Sequence, residues 1–456
     1  MRRSPEFGLL FLATAGSAFG TYLAAIALTV QVYDETGSGV WVAALLIADF
    51  APIVVIGLLF GPLVDRLSRR RLMVLADLAR AGLFVGLMFV DSPAAIVALA
   101  ALVGVATGFF RPAAYAGLPN LVRDDELTNA NSLLQTVETL AWMIGPVAGG
   151  LMLTAWGPAV PYAVNAVTFL VSALLILRIP EAKLRSGESV TAGHWRDVAD
   201  GIRLVVTSLP LRSVLVVWNV VLLGIAAINV AEVVFAKDTL DAGDIGFGLI
   251  VGASGVGLAI GSYLAAPSIG RIGLRAHYVL AIALMGVGWG GAALSPTIYA
   301  VLPFVVVATI GNGGAIVANQ LFVQRGAPDR YRGRALATIM STNYAVLGVA
   351  MAIAGLLTNE FGARSVWLGA SLVYLFAAAT ALAMTHWLAS SRDEHALEAH
   401  GEAAAAALAR NGDGATGEPE SVRGHDGQPA STSGLERIAS LLEEIDHTRE
   451  LETGRP

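Results

Sequence analysis

The sequence predicts an all-α polytopic membrane protein with twelve transmembrane helices in two pseudo-symmetric six-helix halves. Three observations predict it. Of the 456 residues, 55% are hydrophobic and only 14% charged, against about 25% charged in soluble domains; mean hydropathy is +0.67. Apolar runs recur along the chain, and a run of about 20 residues crosses a bilayer as a helix. They do not alternate as the roughly ten-residue strands of a membrane barrel would. Finally, the two halves match without a gap at a shift of 205 residues: Asp65-Arg66 falls on Gly270-Arg271, Arg70 on Arg275, Gly150-Leu151 on Gly355-Leu356, Gly157 on Gly362 and Asp124 on Asp329.

In order, the runs are 7–32, 41–62, 72–90, 94–116, 128–154 and 158–178, then 212–236, 246–267, 276–294, 297–322, 334–357 and 363–388. The first follows Arg2 and Arg3, is too long for a signal-peptide core and lacks a small-residue cleavage site before Tyr33, so it reads as an uncleaved helix. The second and third flank the turn Gly61 to Arg71, GPLVDRLSRRR. The fourth carries Arg111 before Pro112, and the fifth carries Glu138 and then GPVAGG, Gly145 to Gly150. The N-terminal half is therefore 1–179. A polar linker, 180–211, contains Arg196, Asp197, Asp200 and Arg203 and reads as a short surface helix; the C-terminal half is 212–389.

Beyond it, 390–456 holds fourteen acidic and six basic residues, so this tail carries −8 of a net −6 and the rest of the chain is +2. Residues Asn411 to Ser433 are rich in Gly, Asp, Glu, Pro and Ser and read as disordered. Leu435, Ile438, Leu441, Leu442 and Ile445 recur at helical spacing, so 434–450 reads either as a short amphipathic helix able to dock on a cytoplasmic partner or as a frayed end.

Charge fixes an expected sidedness. One set of loops carries Arg66 to Arg71, Arg123, Arg178 to Arg203, Arg271, Arg275 and Arg325 to Arg334; the other offers only Lys237 and Arg364 among acidic residues. The positive-inside rule places the arginine loops and both termini in the cytoplasm. Lysine occurs only at Lys183 and Lys237, and there is no cysteine, which excludes disulfides and thiolate metal sites. A GxxxxGK[ST] phosphate loop is absent, so ATP-driven transport is not supported. The sequence offers no metal-ligand spacing, no nucleophile–base arrangement and no cofactor motif, so we expect no enzyme, no metal, no cofactor and no nucleic-acid partner.

Ionisable residues within membrane helices are costly and usually face a bundle interior or a water-filled cavity. Asp49, Asp77, Arg80, Arg111, Glu138 and Glu232 qualify by position. Asp77 and Arg80 are three apart and can pair. Arg111 can serve a proton path or pair with Asp65 or Asp77. Glu138, beside Gln135 and Thr136, is the first candidate for proton coupling and Asp49 the second; Glu232 reads as lining an outer entrance. Asn165, Asn219, Asn229, Asn312, Asn319, Gln320 and Asn343, with Trp142, Trp218 and Phe322, are candidates to line a mostly apolar cavity.

The turn resembles the signature of the Major Facilitator Superfamily, with Gly61, Asp65, Arg66, Arg69, Arg70 and Arg71 at signature positions and Ser68 where glycine is usual. The resemblance implies an inner gate in which Asp65 faces a helix end of the other half and the arginines pair across neighbouring helices. Gly145, Pro146, Gly149 and Gly150 resemble the antiporter motif of drug exporters, with Ala141 where a glycine usually precedes it. The stretches VYDETGS, LADLARA, GFFRPA and LTNANSL resemble the branch of macrolide-efflux-like and enterobactin-exporter-like permeases.

The resemblance covers residues 7–388. It implies proton-coupled export of a drug-like amphipathic small molecule across the bacterial plasma membrane by alternating access, with the substrate site near mid-membrane between the halves. A dedicated siderophore or secondary-metabolite exporter is the close alternative. A non-transporting scaffold or sensor acting through the tail is the alternative of another class.

Overall fold

The computed structural model describes residues 4–123, 126–184, 202–327 and 329–385, with only the backbone of 57–66, 128, 329–334 and 337. Every regular element in this set is helical. The helices are α1 (Pro5–Thr36), α2 (Gly39–Arg66), α3 (Arg69–Leu87), α4 (Pro93–Gly117), α5 (Leu127–Trp156) and α6 (Ala159–Leu177), followed by α7 (Leu209–Val234), α8 (Gly243–Ile272), α9 (Leu274–Leu294) and α10 (Ile298–Gly326). The last helical stretch, Asp329–Met384, breaks at Gly362 (φ 75°, ψ 159°) into α11 (329–361) and α12 (363–384).

Ten helical stretches among the described residues are long and apolar enough to span a membrane. One of these, Thr338–Met384, contains the break and makes two passes. The remaining helix, α3, falls short on composition because it carries Arg69 to Arg71, Asp77 and Arg80. That makes the twelve expected. Observed and predicted ends differ by a few residues: α8 continues to Ile272 and α11 begins at Asp329, five residues beyond the predicted bounds, whereas α3 stops three short at Leu87. The linker's predicted surface helix lies mostly in 185–201, outside the described residues, and α7 starts at Leu209. The tail beyond 385, with the predicted helix at 434–450, is also outside them.

Local chemistry sets the ends. Pro5 opens α1 after Ser4, whose hydroxyl accepts from the Phe7 N–H at 3.2 Å, and Gly37 closes it in the left-handed region. Ser68, the departure from the glycine of the signature, caps α3: its side chain accepts from the Arg71 N–H at 3.4 Å. The repeat-related position is Gly273, with φ 81°, so the two turns differ in backbone as well as in side chain.

Within the first half α1 packs on α5 and α6, α2 on α4, and α3 on α4 and α6. Within the second, α8 and α9 pack on α10, and α7 and α9 pack on the 329–384 stretch. Two seams join the halves, α5 to α8 and α2 to α11. The 205-residue repeat holds at atomic detail. Arg70 donates to the Leu177 carbonyl at the end of α6, and Arg275 donates to the Leu382 carbonyl in α12 at 3.2 Å, each across 107 residues. In the seams, a Cβ on Gly150 would lie 2.8 Å from the Asp244 carbonyl, and one on Gly355 would lie 2.9 Å from the Gly39 carbonyl. Both partners are displaced by the same shift.

Candidate functional site

Two chambers lie between the helices, and Tyr22 of α1 lines both. The first has a volume of about 180 Å³ and lies within the N-terminal half, toward the end that bears the arginine loops. Asp49, Arg80, Arg111, Tyr115 and Glu138 line it. Arg111 of α4 meets Glu138 of α5 at 3.3 Å, and the Tyr115 hydroxyl donates to the other Glu138 oxygen at 3.4 Å. The Arg111 side chain is 49% exposed although it lies within the helix, so this chamber is open to water and the ion pair is screened. Asp49 is exposed into the same space.

Arg80 is held differently. It forms a buried ion pair with Asp77, one turn away, and its guanidinium carbon sits 4.3 Å from the ring centroids of both Phe110 and Phe169. The rings and the carboxylate together replace water around the cation. This group has a fixed structural address in α3, facing α4 and α6.

The second chamber, about 270 Å³, lies between the two halves and toward the opposite end. Tyr22, Thr29, Trp142 and Pro146 contribute from the first half; Asn229, Glu232, Trp289, Asn312 and Tyr374 contribute from the second. Glu232 is 8% exposed and lines this chamber on the side toward the closed end. Beyond it the element continues as a π-helical segment, Phe235–Thr239. Ile225, Ile228, Asn229 and Glu232 share one helix face, the signal by which a helical reading locates such a residue.

The opposite end is closed by contacts between halves. The Lys237 ammonium lies 2.5 Å from Asp34 and 2.8 Å from Asp244, and the Tyr33 hydroxyl donates to Asp238. Asn359 accepts from the Gly39 N–H at 2.6 Å and donates to the Ser38 hydroxyl at 3.0 Å. Behind these contacts run the two glycine seams, and Phe50 stacks on Tyr344 across the second, with ring centroids 6.1 Å apart.

The structure sorts the sequence candidates. Gly145 and Gly149 receive α1, since a Cβ on either would lie within 3 Å of Tyr22 or Leu23 atoms; Gly150 receives α8, and Pro146 lines the second chamber. Trp142, Asn229 and Asn312 line that chamber too. Asn165, Phe322 and Trp218 are buried in helix packing and line neither chamber. Arg111 pairs with Glu138, a partner 27 residues away that the sequence did not suggest. The backbone of Gly61, Asp65 and Arg66 is helical, while the side chains of Asp65 and Arg66 are outside the described residues. Arg69 and Arg70 start α3, and Arg71 meets Glu181 at 3.5 Å.

The family model described as "Transmembrane secretion effector" matches residues 2–414. The chain belongs to this family of the Major Facilitator Superfamily. The multidrug efflux pump Tap of Mycolicibacterium fortuitum is 26% identical over 82% of this chain and 94% of its own. Macrolide efflux protein A of Streptococcus pyogenes is 24% identical over 79% and 90%. The putative bacilysin exporter BacE of Bacillus amyloliquefaciens is 27% identical over 70% and 80%. The fold resembles a bacterial homologue of the iron transporter ferroportin, solved in its inward-facing state, with TM-score 0.70 at 15% identity, covering 83% of this chain and 98% of that one. The protein is thus a multi-pass membrane transporter of the efflux type and not an enzyme.

Proposed function

We propose that this protein is a proton-coupled exporter of amphipathic small molecules that works by alternating access in the bacterial plasma membrane. The observation that carries the reading is the asymmetry of the two ends. The chamber holding the half-exposed Arg111 and Glu138 lies toward the arginine end, while contacts of Lys237, Tyr33 and Asn359 join the halves at the opposite end. The positive-inside rule favours a cytoplasmic arginine end, with both termini on that side, and on this reading substrate loads from inside. The named activities of Tap and macrolide efflux protein A support the outward direction. Glu138 and Asp49 are the carboxylates that water and protons reach in this state. Arg111 lies 3.3 Å from Glu138, so a change at Glu138 would alter the contact between α4 and α5.

The test is accumulation of a panel of lipophilic drugs in an efflux-deficient bacterium, with and without a protonophore. Expression is expected to lower accumulation, the protonophore to restore it, and Glu138→Gln to make the remaining flux insensitive to pH. Undiminished pH dependence in that variant would remove Glu138 from coupling. Asp65→Asn, inserted normally, should slow turnover if the inner gate works as the signature implies.

A further inference from the structure

Beside the second chamber, three buried rings from three helical elements stand in contact. Trp289 of α9 lines the chamber and meets Trp367 of α12 edge-on, with ring centroids 5.1 Å apart and planes at 75°. Trp367 stacks in turn on Phe235, with centroids 3.9 Å apart and planes at 19°. Trp367 and Phe235 are both fully buried and line neither chamber. The Trp367 indole N–H is buried without an acceptor, a cost that a leucine or a phenylalanine would avoid. Packing of the ring, not a polar contact, is therefore what Trp367 supplies. Arg364, one turn earlier, fixes the surroundings. It donates to the Ala293 and Ser295 carbonyls at the end of α9, and its guanidinium carbon lies 5.6 Å from the Phe235 ring centroid.

Phe235 opens the π-helical segment Phe235–Thr239, whose wide turn closes where the Leu240 N–H donates to the Phe235 carbonyl at 3.1 Å. The same turn carries Lys237, held by Asp34 and Asp244, and Asp238, which accepts from Tyr33. Single π turns are rare and cluster at functional sites. A π turn holds one residue more than an α turn, and passing that residue on rotates the side chains that follow by about 100°. We propose that Trp289, Trp367 and Phe235 are positioning residues for transport: a ligand that displaces Trp289 in the second chamber shifts the stack, returns the π turn to α pairing and turns Lys237 and Asp238 away from the first half. Chamber and closed end then bias one element with two discrete arrangements, which is what coupling between separated sites requires. Trp142 faces the same chamber as Trp289, and aromatic faces favour a planar ring system as the ligand that moves the stack. The proposal rests on the second chamber as the ligand site and on no assignment of the coupling ion.

The experiment uses the full-length protein in lipid nanodiscs, with the planar dye Hoechst 33342 as probe. The chain has no cysteine, so cysteines introduced at the exposed Glu35 and Ile245 direct two spin labels to the outer ends of α1 and α8. In the wild type the dye should raise the fraction of widely separated labels. Trp367→Leu should cut this dye-linked opening by about two- to tenfold, the worth of an aromatic contact. Dye affinity, read by fluorescence, should hold, because Trp367 does not line the chamber. Trp367→Phe keeps a stacking face and should restore part of the response. Phe322→Leu removes an equally buried ring of the same half that lines neither chamber, and it should leave the response intact. Thermal unfolding of each variant checks folding. Wild-type distances that ignore the dye, a full response in folded Trp367→Leu, or an equal loss in Phe322→Leu would overturn the proposal. Protonophore-sensitive drug export together with any of these results would leave the exporter standing without this device. A dye-linked opening that depends on Trp367, with no export in cells, would do the reverse.

Discussion

The two halves share a scaffold and differ in charge. Arg70 and Arg275 donate to equivalent carbonyls, Gly150 and Gly355 receive equivalent carbonyls, and Gly157 and Gly362 stop equivalent helices at φ 76° and 75°. Inside, the resemblance ends. The first half encloses Asp49, Asp77, Arg80, Arg111 and Glu138, with both arginines paired to carboxylates. Among the described residues, the second presents the single carboxylate Glu232 to the chamber between them. The shared features are backbone contacts and helix ends, which any rocking pair of bundles needs; the differing ones are side chains facing water or ligand. Geometry is held in common, and chemistry is divided between the halves.

The largest effect expected comes from breaking the charge inventory of the first half. Arg80→Ala leaves Asp77 buried alone and removes a cation from between two rings, which should destabilise the protein by about 3–5 kcal/mol. Thermal unfolding in detergent measures it, and the paired change Asp77→Asn with Arg80→Met should recover most of the loss. A small effect of the single substitution would mean that Asp77 finds another partner.

Next come the twin glycines, which sharpen the claim of a shared scaffold. Valine at Gly150 or at Gly355 places a Cβ within 3 Å of a backbone carbonyl that cannot easily retreat. Each should hold the far end open and cut transport by about tenfold or more, of the order expected for overpacking a close contact by 1–3 kcal/mol. Transport assays at matched expression should rank the two alike; one silent and one severe variant would show that only a single seam closes in the cycle.

The smallest effect is at the closed end itself. Lys237→Met removes both ion pairs of a partly exposed lysine, worth about 0–1 kcal/mol each. A shift of the open-to-closed ratio by a few-fold should appear in distance measurements between spin labels on α1 and α8. No shift would assign closure to the glycine seams together with the Tyr33 and Asn359 contacts.

Much of the scaffold was legible in the sequence because hydropathy and repeat spacing act locally. Apolar runs located the helices, including the charged α3, which composition alone passes over but its flanking runs and loops reveal. The repeat was visible as a few identities, and its positions Arg70 and Gly150 proved to be those with equivalent contacts. The site was less legible, because its pairings run between helices. Nothing in the spacing of Arg111 and Glu138 says that α4 and α5 bring them together. Asn165 and Phe322 have suitable chemistry but face neighbouring helices.

One feature of composition acquires a practical meaning from the fold. The chain holds two lysines, and the structure sets one at each face: Lys183 against Glu6 at the arginine end, and Lys237 within the closed contact at the other. A membrane-impermeant acylating reagent applied to one side of a sealed vesicle therefore meets a single side-chain amine. The Lys237 amine bridges the halves, so its acylation rate would follow their separation. The molecule carries its own chemical reporter of orientation and of cycling, with no label to introduce.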